Sequence, residues 1–279
     1  MSISPRAFVI GWPIHHSRSP LIHGHWLNTY GLAGSYEKVA VRPEELGAFL
    51  GGLAERGFVG GNVTVPHKEQ ALALAGEATE TARSIGAANT LWLERGRLQA
   101  DNTDAYGFMT HLGVAAPEWQ RRDGTTVLLG AGGAARAIAH GFLAAGVERI
   151  VLVNRSRDRA EALAGHFGRR VVVRDWVERQ NVLDEASVLV NTTSLGMLGQ
   201  PPLEIDLARL RPPATVADIV YAPLETPLLA TARTLGHATV DGLGMLLNQA
   251  VPGFERWFGV RPVVTAELRA LIARDIEAA

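Results

Sequence analysis

Val127-Leu-Leu-Gly-Ala-Gly-Gly-Ala-Ala135 is a short apolar run entering a glycine-rich turn, and a helical pattern follows from Ala134 to Ala145. Strand, turn and helix in that order are the setting in which G-x-G-x-x-A binds the pyrophosphate of a dinucleotide. Gly130 allows the tight turn, Gly132 lets the backbone approach the anion, and Ala135 keeps the helix close to the sheet. The helix N-terminus turns its free amides toward the same anion. Gly130, Ala131, Gly132, Gly133 and Ala134 are the expected cofactor-binding turn, and an open parallel sheet is the expected frame around it.

The next strand, Arg149 to Val153, ends about twenty residues after the fingerprint, where an NAD-binding chain usually offers an acid to the ribose hydroxyls. This chain reads Asn154-Arg155-Ser156-Arg157-Asp158-Arg159 instead. Arg155 and Arg159 suit a 2′-phosphate and can stack on adenine, which favours NADP over NAD. Asn154 and Ser156 join them as candidates, whereas Arg157 reads as the start of a solvated helix. Val188 to Val190 and Val216 to Val220 are further buried strands. Asn191-Thr-Thr-Ser194 and Tyr221 stand at their carboxyl ends, where open α/β sheets place their ligands.

Short apolar runs alternate with helical patterns along the whole chain, the signature of an α/β protein with parallel sheets. With 279 residues, 47% hydrophobic and 20% charged, the chain can bury two ordinary cores. One seam is expected between Ala105 and Gly124, where Pro117 and the cluster Gln120-Arg-Arg-Asp-Gly124 interrupt the pattern, and a second near Asp241 to Gly244. Met245 to Phe258 and Thr265 to Glu277 then read as two closing helices. A net charge of −1 and a pI near 6.8 give no electrostatic reason to expect nucleic acid or an anionic membrane. The absence of cysteine excludes disulfides and thiolate metal sites. Pro13 and two histidines break the only N-terminal apolar segment, and no run is long enough to span a bilayer. The expectation is a cytoplasmic enzyme acting on a small molecule.

In the first half, Gly60-Gly-Asn-Val-Thr-Val-Pro-His-Lys68 reads as a buried strand with Val63 and Val65 on the core face and Asn62 and Thr64 on the other. Pro66 stops it and suits the first turn of a helix from Pro66 to Ala75, so Lys68 stands near a helix N-terminus. The helix dipole disfavours a cation there, which marks Lys68 as a candidate for proton transfer. Ser17 and Ser19 read as one face of an extended segment, with Arg18 turned away, and suit two carboxylate oxygens. Met245 and Gln249, four apart on a predicted helix, share a face. Five histidines, His15, His16, His23, His25 and His67, crowd residues 1–110 but lack the spacing and acidic partners of a metal site, and no metal is expected.

Eight segments in one order resemble the shikimate dehydrogenase family over nearly the whole chain. They are Gly11-Trp-Pro-Ile-His-His-Ser-Arg-Ser-Pro-Leu-Ile-His23, Gly61 to Lys68, Gly86-Ala-Ala-Asn-Thr90, Asp101 to Gly107, the turn at 130 to 136, Asn191-Thr-Thr-Ser-Leu-Gly-Met197, Asp218-Ile-Val-Tyr-Ala-Pro223, and Asp241-Gly-Leu-Gly-Met245 with Gln249. The resemblance implies two domains. An α/β substrate domain with a parallel-rich sheet spans 1–110 and is completed by helices at 244–279, and a Rossmann-type NADP domain spans 111–243. It implies NADP-dependent interconversion of 3-dehydroshikimate and shikimate in aromatic biosynthesis, by a monomer or homodimer. Lys68 would move the hydroxyl proton with Asp104 against it, and Asp104 or Thr103 could alternatively cap the helix Ala105 to Leu112. The dipole and the carboxylate act on the Lys68 charge in opposite directions. Ser17 and Ser19 would hold the substrate carboxylate, while Asn62, Thr64, Asn89, Tyr221 and Gln249 would complete its contacts. Thr192, Ser194, Ile219, Gly242 and Met245 would lie on the cofactor side.

Overall fold

The computed structural model describes residues 4–121 and 124–278, so Arg122 and Asp123 of the polar cluster expected at a seam lie outside it. Two compact units divide the chain: Met1–Asp104 with Gln249–Ile272, and Ala105–Asn248 with Ala273–Ala279.

In the first unit the chain runs β1 (Arg6–Gly11), α1 (Ser19–Thr29), β2 (Ser35–Ala40), α2 (Leu46–Gly51), β3 (Phe58–Val63), α3 (Lys68–Leu74), β4 (Glu77–Ala78), α4 (Glu80–Ile85), β5 (Thr90–Glu94) and β6 (Arg97–Asp101). These strands make one sheet in the order β2-β1-β3-β5-β6-β4. β1 pairs in parallel with β2 and β3, whereas β5 is antiparallel to both β3 and β6. β1 is buried on both faces, so its residues divide between two cores by simple alternation. Phe8 and Ile10 join Val63, Leu91 and Ala100 on one face, and Ala7 and Val9 join Tyr36, Trp92 and Trp257 on the other. Phe8 packs edge-on against Phe49 and Phe58 at 5.2 and 5.1 Å, which fills the space in front of Gly61. A β-carbon on Gly61 would lie 2.4 Å from the Phe8 ring and from its carbonyl oxygen, so only glycine fits that register position.

The second unit runs from α5 (Asp104–Ala115), whose first residue belongs to the first unit, through β7 (Thr125–Leu129), α6 (Gly133–Ala144), β8 (Ile150–Asn154), α7 (Arg157–Phe167), β9 (Val171–Asp175), β10 (Ala186–Asn191), β11 (Thr215–Asp218), α8 (Pro227–Thr234) and β12 (Ala238–Val240). α9 (Gly242–Phe258) and α10 (Ala266–Glu277) close the chain. The sheet is wholly parallel, in the order β12-β11-β10-β7-β8-β9. That is the doubly wound Rossmann arrangement, and its order reverses between β7 and β10. Alternation again divides the strands: Leu128, Leu152, Val188 and Val190 face one core, and Val127, Leu129, Val151, Val153 and Leu189 the other.

Three local expectations need correction. β3 ends at Val63, and the chain then turns, with the His67 amide donating to the Thr64 carbonyl at 3.0 Å. Val65 therefore leaves the sheet and is 69% exposed instead of joining the core. The helix after it starts at Lys68, not Pro66, because Pro66 and His67 belong to that turn. Ser17 to Ser19 is not extended, since Arg18, the N-cap of α1, has φ −92° and ψ −4° and Ser19 begins the helix. The exposed Val65 and the helical Arg18 both follow from tight turns that alternation cannot register. Among the described residues, no helix is long and apolar enough to cross a membrane.

Candidate active site

Lys68 opens α3 and Asp104 opens α5, so two helix starts bring the two side chains together. Lys68 Nζ donates to Asp104 Oδ2 at 2.5 Å, with the side chains 18% and 8% exposed. Asp104 Oδ1 accepts from Asn89 Nδ2 at 2.9 Å, and the Asp104 amide donates to Asn102 Oδ1 at 3.0 Å. Asn102 is itself held by donation from Nδ2 to the Ala87 carbonyl at 2.9 Å. The carboxylate thus has a fixed position, with one oxygen toward an amide and the other toward an ammonium. A charge-assisted contact of this kind in a mostly buried setting orients both groups. The carboxylate is turned to Lys68 and Asn89, and the Thr103 hydroxyl donates to the Gln249 carbonyl at 2.8 Å.

Around this pair the polar residues of the first unit form a connected network. Asn62 Nδ2 donates to the Asn89 carbonyl at 3.0 Å and to Thr90 Oγ1 at 3.3 Å, and its Oδ1 accepts from the Tyr36 hydroxyl at 2.6 Å. Both Asn62 donors are thus engaged within the protein. Asn89 Nδ2 also lies 3.4 Å from Gln249 Oε1. Thr64 is half-buried beside Gly11, where a β-carbon would sit 2.6 Å from the threonine methyl. The Ser19 amide donates to Ser17 Oγ at 3.3 Å, and the Ser19 side chain is buried while that of Ser17 is partly open.

Tyr36 was not singled out by the sequence, because a tyrosine in a short edge strand carries no motif. Burial pushes its phenol well above the usual range, against smaller opposing effects from Ser19 and Asn62, so it acts as a neutral donor. His23 stacks on Tyr36 at 3.9 Å and is driven by burial down to about 3, so it too is uncharged. His67 Nε2 lies 2.8 Å from the Val41 carbonyl, and His15 packs edge-on against His16. Among the described residues no group of three or more histidines or acids is placed to hold a metal ion.

In the second unit the glycine-rich turn sits at the point where the strand order reverses. Gly130 has φ +106°, and a β-carbon there would lie 2.7 Å from Thr192 Oγ1, so β7 and β10 fork around a position only glycine can fill. The Thr192 hydroxyl donates to the Leu129 carbonyl at 2.6 Å, which braces that fork. A β-carbon on Gly132 would meet nothing within 4 Å, and no side chain caps α6, so backbone amides of Gly133 and Ala134 face open space at a helix start. Such a start fits a pyrophosphate. Arg157 is tied to Glu161 and Asp175 at 2.7 and 3.0 Å. Arg155 and Arg159 are exposed and make no ion pair among the described residues. The arginines that the 2′-phosphate reading needs are the two left available. Asn154 Nδ2 donates to the Ser156 carbonyl at 2.7 Å and shapes the turn between them, with Ser156 exposed.

Asp218, which opens the segment to Pro223 but has no assigned role in the sequence, organises the far side of the same sheet edge. It accepts from Asn191 Nδ2 at 2.9 Å, the Val220 amide at 3.0 Å and the Thr226 hydroxyl at 2.8 Å. Burial nevertheless pushes its carboxyl up to about 6. Asn191 reaches the Leu195 carbonyl at 3.1 Å and takes the Thr193 amide at 3.0 Å, so one acid and one amide shape the loops that carry Ser194, Ile219 and Tyr221. Ser194 is exposed and Tyr221 half-buried. Gly242 is held close to Ile219, whose carbonyl oxygen would be 2.3 Å from a β-carbon there. Met245 is 9% exposed and packs in the core of this unit.

Profiles of protein families match three parts of the chain: "Shikimate dehydrogenase substrate binding domain" over residues 9–91, "Shikimate / quinate 5-dehydrogenase" over 115–198, and "Shikimate 5'-dehydrogenase C-terminal domain" over 242–266. A shikimate dehydrogenase (NADP(+)) of Methylocella silvestris is 57% identical over 276 residues, covering 99% of this chain and 98% of the relative. The chain belongs to the shikimate dehydrogenase family. A second family member, the shikimate dehydrogenase (NADP(+)) of Azorhizobium caulinodans, is 56% identical over 273 residues, with 98% and 97% coverage. Among solved shikimate dehydrogenases, that of Thermus thermophilus in complex with NADP(H) and shikimate superposes with a TM-score of 0.85 at 36% identity, covering 98% of this chain and 99% of the other. A quinate dehydrogenase from Corynebacterium glutamicum in complex with NAD superposes with a TM-score of 0.89 at 31% identity, covering 97% and 99%. The two-sheet α/β fold with a Rossmann-type half, expected from the sequence, is the fold of the shikimate dehydrogenase family.

Proposed function

We propose that this protein is an NADP-dependent shikimate dehydrogenase that reversibly reduces 3-dehydroshikimate to shikimate in aromatic amino-acid biosynthesis. The observation that carries the reading is the Lys68–Asp104 pair, a 2.5 Å ammonium–carboxylate contact set among buried amides in a chain of this family. When bound, the nicotinamide cofactor would supply the hydride as NADPH in the direction of reduction and accept it as NADP+ in the reverse.

The chain's own residues do the rest. With its ammonium bonded to Asp104, Lys68 can give its proton to the oxygen that becomes the shikimate hydroxyl, and takes it back in the reverse direction. Asp104 aims the ammonium. Ser17 and Ser19 hold the substrate carboxylate with uncharged donors, so selectivity there rests on geometry. Asn62, Thr64, Asn89, Gln249 and Tyr221 make the remaining substrate contacts. Gly130, Ala131, Gly132, Gly133 and Ala134 cradle the pyrophosphate, and Asn154, Arg155, Ser156 and Arg159 take the adenosine 2′-phosphate end. Thr192, Ser194, Ile219, Gly242 and Met245 border the nicotinamide end. The substrate domain is residues 1–110 with 244–279 and the NADP domain 111–243. We place the enzyme in the cytoplasm as a monomer or homodimer.

A second reading, a quinate dehydrogenase using NAD, draws on the likeness to the Corynebacterium glutamicum structure. Arg155 after β8, which makes no ion pair among the described residues, and the serine at position 19 oppose it. A dinucleotide sensor without catalysis would have no use for the Lys68–Asp104 pair. The deciding experiment is a spectrophotometric assay of shikimate and quinate against NADP and NAD. Shikimate with NADP is expected to give the highest kcat/KM, and a clear preference for quinate or for NAD would reject the assignment.

A further inference from the structure

Thr90 opens β5 directly opposite Asn62 of β3 and beside Asp101 of β6 in the sheet register. Cross-strand partners share a face, so Thr90 stands where the strands bearing Asn62 and the Asp101-to-Asp104 turn converge. It is 2% exposed, and its neighbours Asn62, Asn89 and Thr103 are 5%, 2% and 3% exposed. Its hydroxyl has three polar neighbours: Asn89 Oδ1 at 2.9 Å, Thr103 Oγ1 at 3.1 Å and Asn62 Nδ2 at 3.3 Å.

The roles follow from what each partner can be. Asn89 Oδ1 can only accept and Asn62 Nδ2 can only donate, so the Thr90 proton goes to Asn89 and its oxygen receives Asn62. The Thr103 proton is directed at the Gln249 carbonyl at 2.8 Å, and the Thr103 amide donates to the same Asn89 oxygen at 2.8 Å. With its oxygen facing these donors, Asn89 has its amide nitrogen toward Asp104 Oδ1. One hydroxyl therefore links the two asparagines assigned to substrate, and through Asn89 it reaches the carboxylate that holds Lys68.

We infer that Thr90 is a positioning residue for substrate, fixing the amides of Asn62 and Asn89 by donating to one and accepting from the other. This rests on the proposed dehydrogenase activity. Thr90→Val keeps the shape and removes the hydroxyl, leaving a buried Asn62 N–H without one partner and Asn89 Oδ1 with fewer donors. The KM for shikimate is expected to rise about tenfold, with a smaller fall in kcat and the KM for NADP within about twofold of the parent. Thr90→Ser is expected to restore the KM for shikimate to within about threefold of the parent.

A merely structural hydroxyl would lower the folded fraction and the apparent turnover without moving the KM for shikimate. Should Thr90→Val fail to fold, Thr90→Ala gives the same comparison without adding an apolar branch against the two amides. An active parent whose KM for shikimate is unchanged in Thr90→Val or Thr90→Ala would overturn the inference, as would failure of Thr90→Ser to restore it. A parent inactive on shikimate with NADP would overturn the functional reading and this inference with it.

Discussion

Lys68 Nζ and Asp104 Oδ2 are 2.5 Å apart although the residues are 36 positions apart in the chain, and each belongs to the first turn of its own helix. The two helix starts act differently on them. A helix N-terminus favours the Asp104 carboxylate and disfavours the Lys68 ammonium. The carboxylate therefore supplies the attraction that the local dipole withholds from the lysine, and Asn89 and Asn102 keep that carboxylate in place.

Cofactor choice is expected to rest on Arg155. Replacing it with Asp removes a charge-assisted phosphate contact and places an acid where a ribose hydroxyl would be welcome, so affinity for NADP should fall by roughly 1–3 kcal/mol while that for NAD changes little. Titration of the variant with both dinucleotides checks this. Equal losses would remove Arg155 from the phosphate site.

Ser19→Ala should raise the KM for shikimate and leave that for NADP nearly unchanged, because the hydroxyl is assigned to the substrate carboxylate in the first unit. The check is a pair of saturation curves, one in each substrate. An equally good reaction with a shikimate analogue lacking its carboxylate would show that the serine pair binds something else.

Gly61 and Gly113 make opposite predictions from the same substitution. A β-carbon on Gly61 would press on the Phe8 ring and carbonyl at 2.4 Å, whereas one on Gly113, exposed in α5, would meet nothing within 4 Å. Gly61→Ala is expected to cost about 3 kcal/mol or more by overpacking. Gly113→Ala is expected to gain roughly 0.5–1 kcal/mol from helix propensity. Urea unfolding midpoints of both variants decide it, and a well-folded Gly61→Ala protein would contradict the packing described for β1 and β3.

Asp218 gives a pH-dependent test. Burial raises its carboxyl from 3.8 to about 6, so the fold holds this proton more tightly than the unfolded chain does. Its contribution is fully present below about pH 4 and is lost as pH rises through about 6. Asp218→Asn does not titrate there. The stability of that variant relative to the parent should therefore improve by about 2 kcal/mol between pH 4.5 and 7.5. Unfolding curves at the two pH values measure the difference, and parallel behaviour of the two proteins would show that Asp218 is ionised throughout.

Much of this was legible in the sequence where local chemistry dictates geometry. The strand, the glycine turn at 130 to 132 and the helix after it follow from residue size and backbone freedom alone, and the reversal of strand order falls where that turn lies. The place of Lys68 near a helix start marks it as a candidate, and the family resemblance adds Asp104 beside it. Tyr36 goes unmarked, and Thr90 and Asp218 stand in the quoted segments without a role of their own, because their importance comes from cross-strand register and burial, and neither is written in nearest neighbours. Val65 and Arg18 misled for the same reason in reverse, since alternation was extended past residues where the chain turns.

Lys68 is proposed to carry the proton that accompanies hydride transfer. Its most direct test is the turnover number of Lys68→Ala at saturating shikimate and NADP, with NADP binding measured on the same sample. Turnover is expected to fall roughly a hundredfold or more with NADP binding retained, because a positioned acid–base group contributes about that much. Turnover equal to the parent would contradict it and leave Lys68 as a group that only positions the substrate.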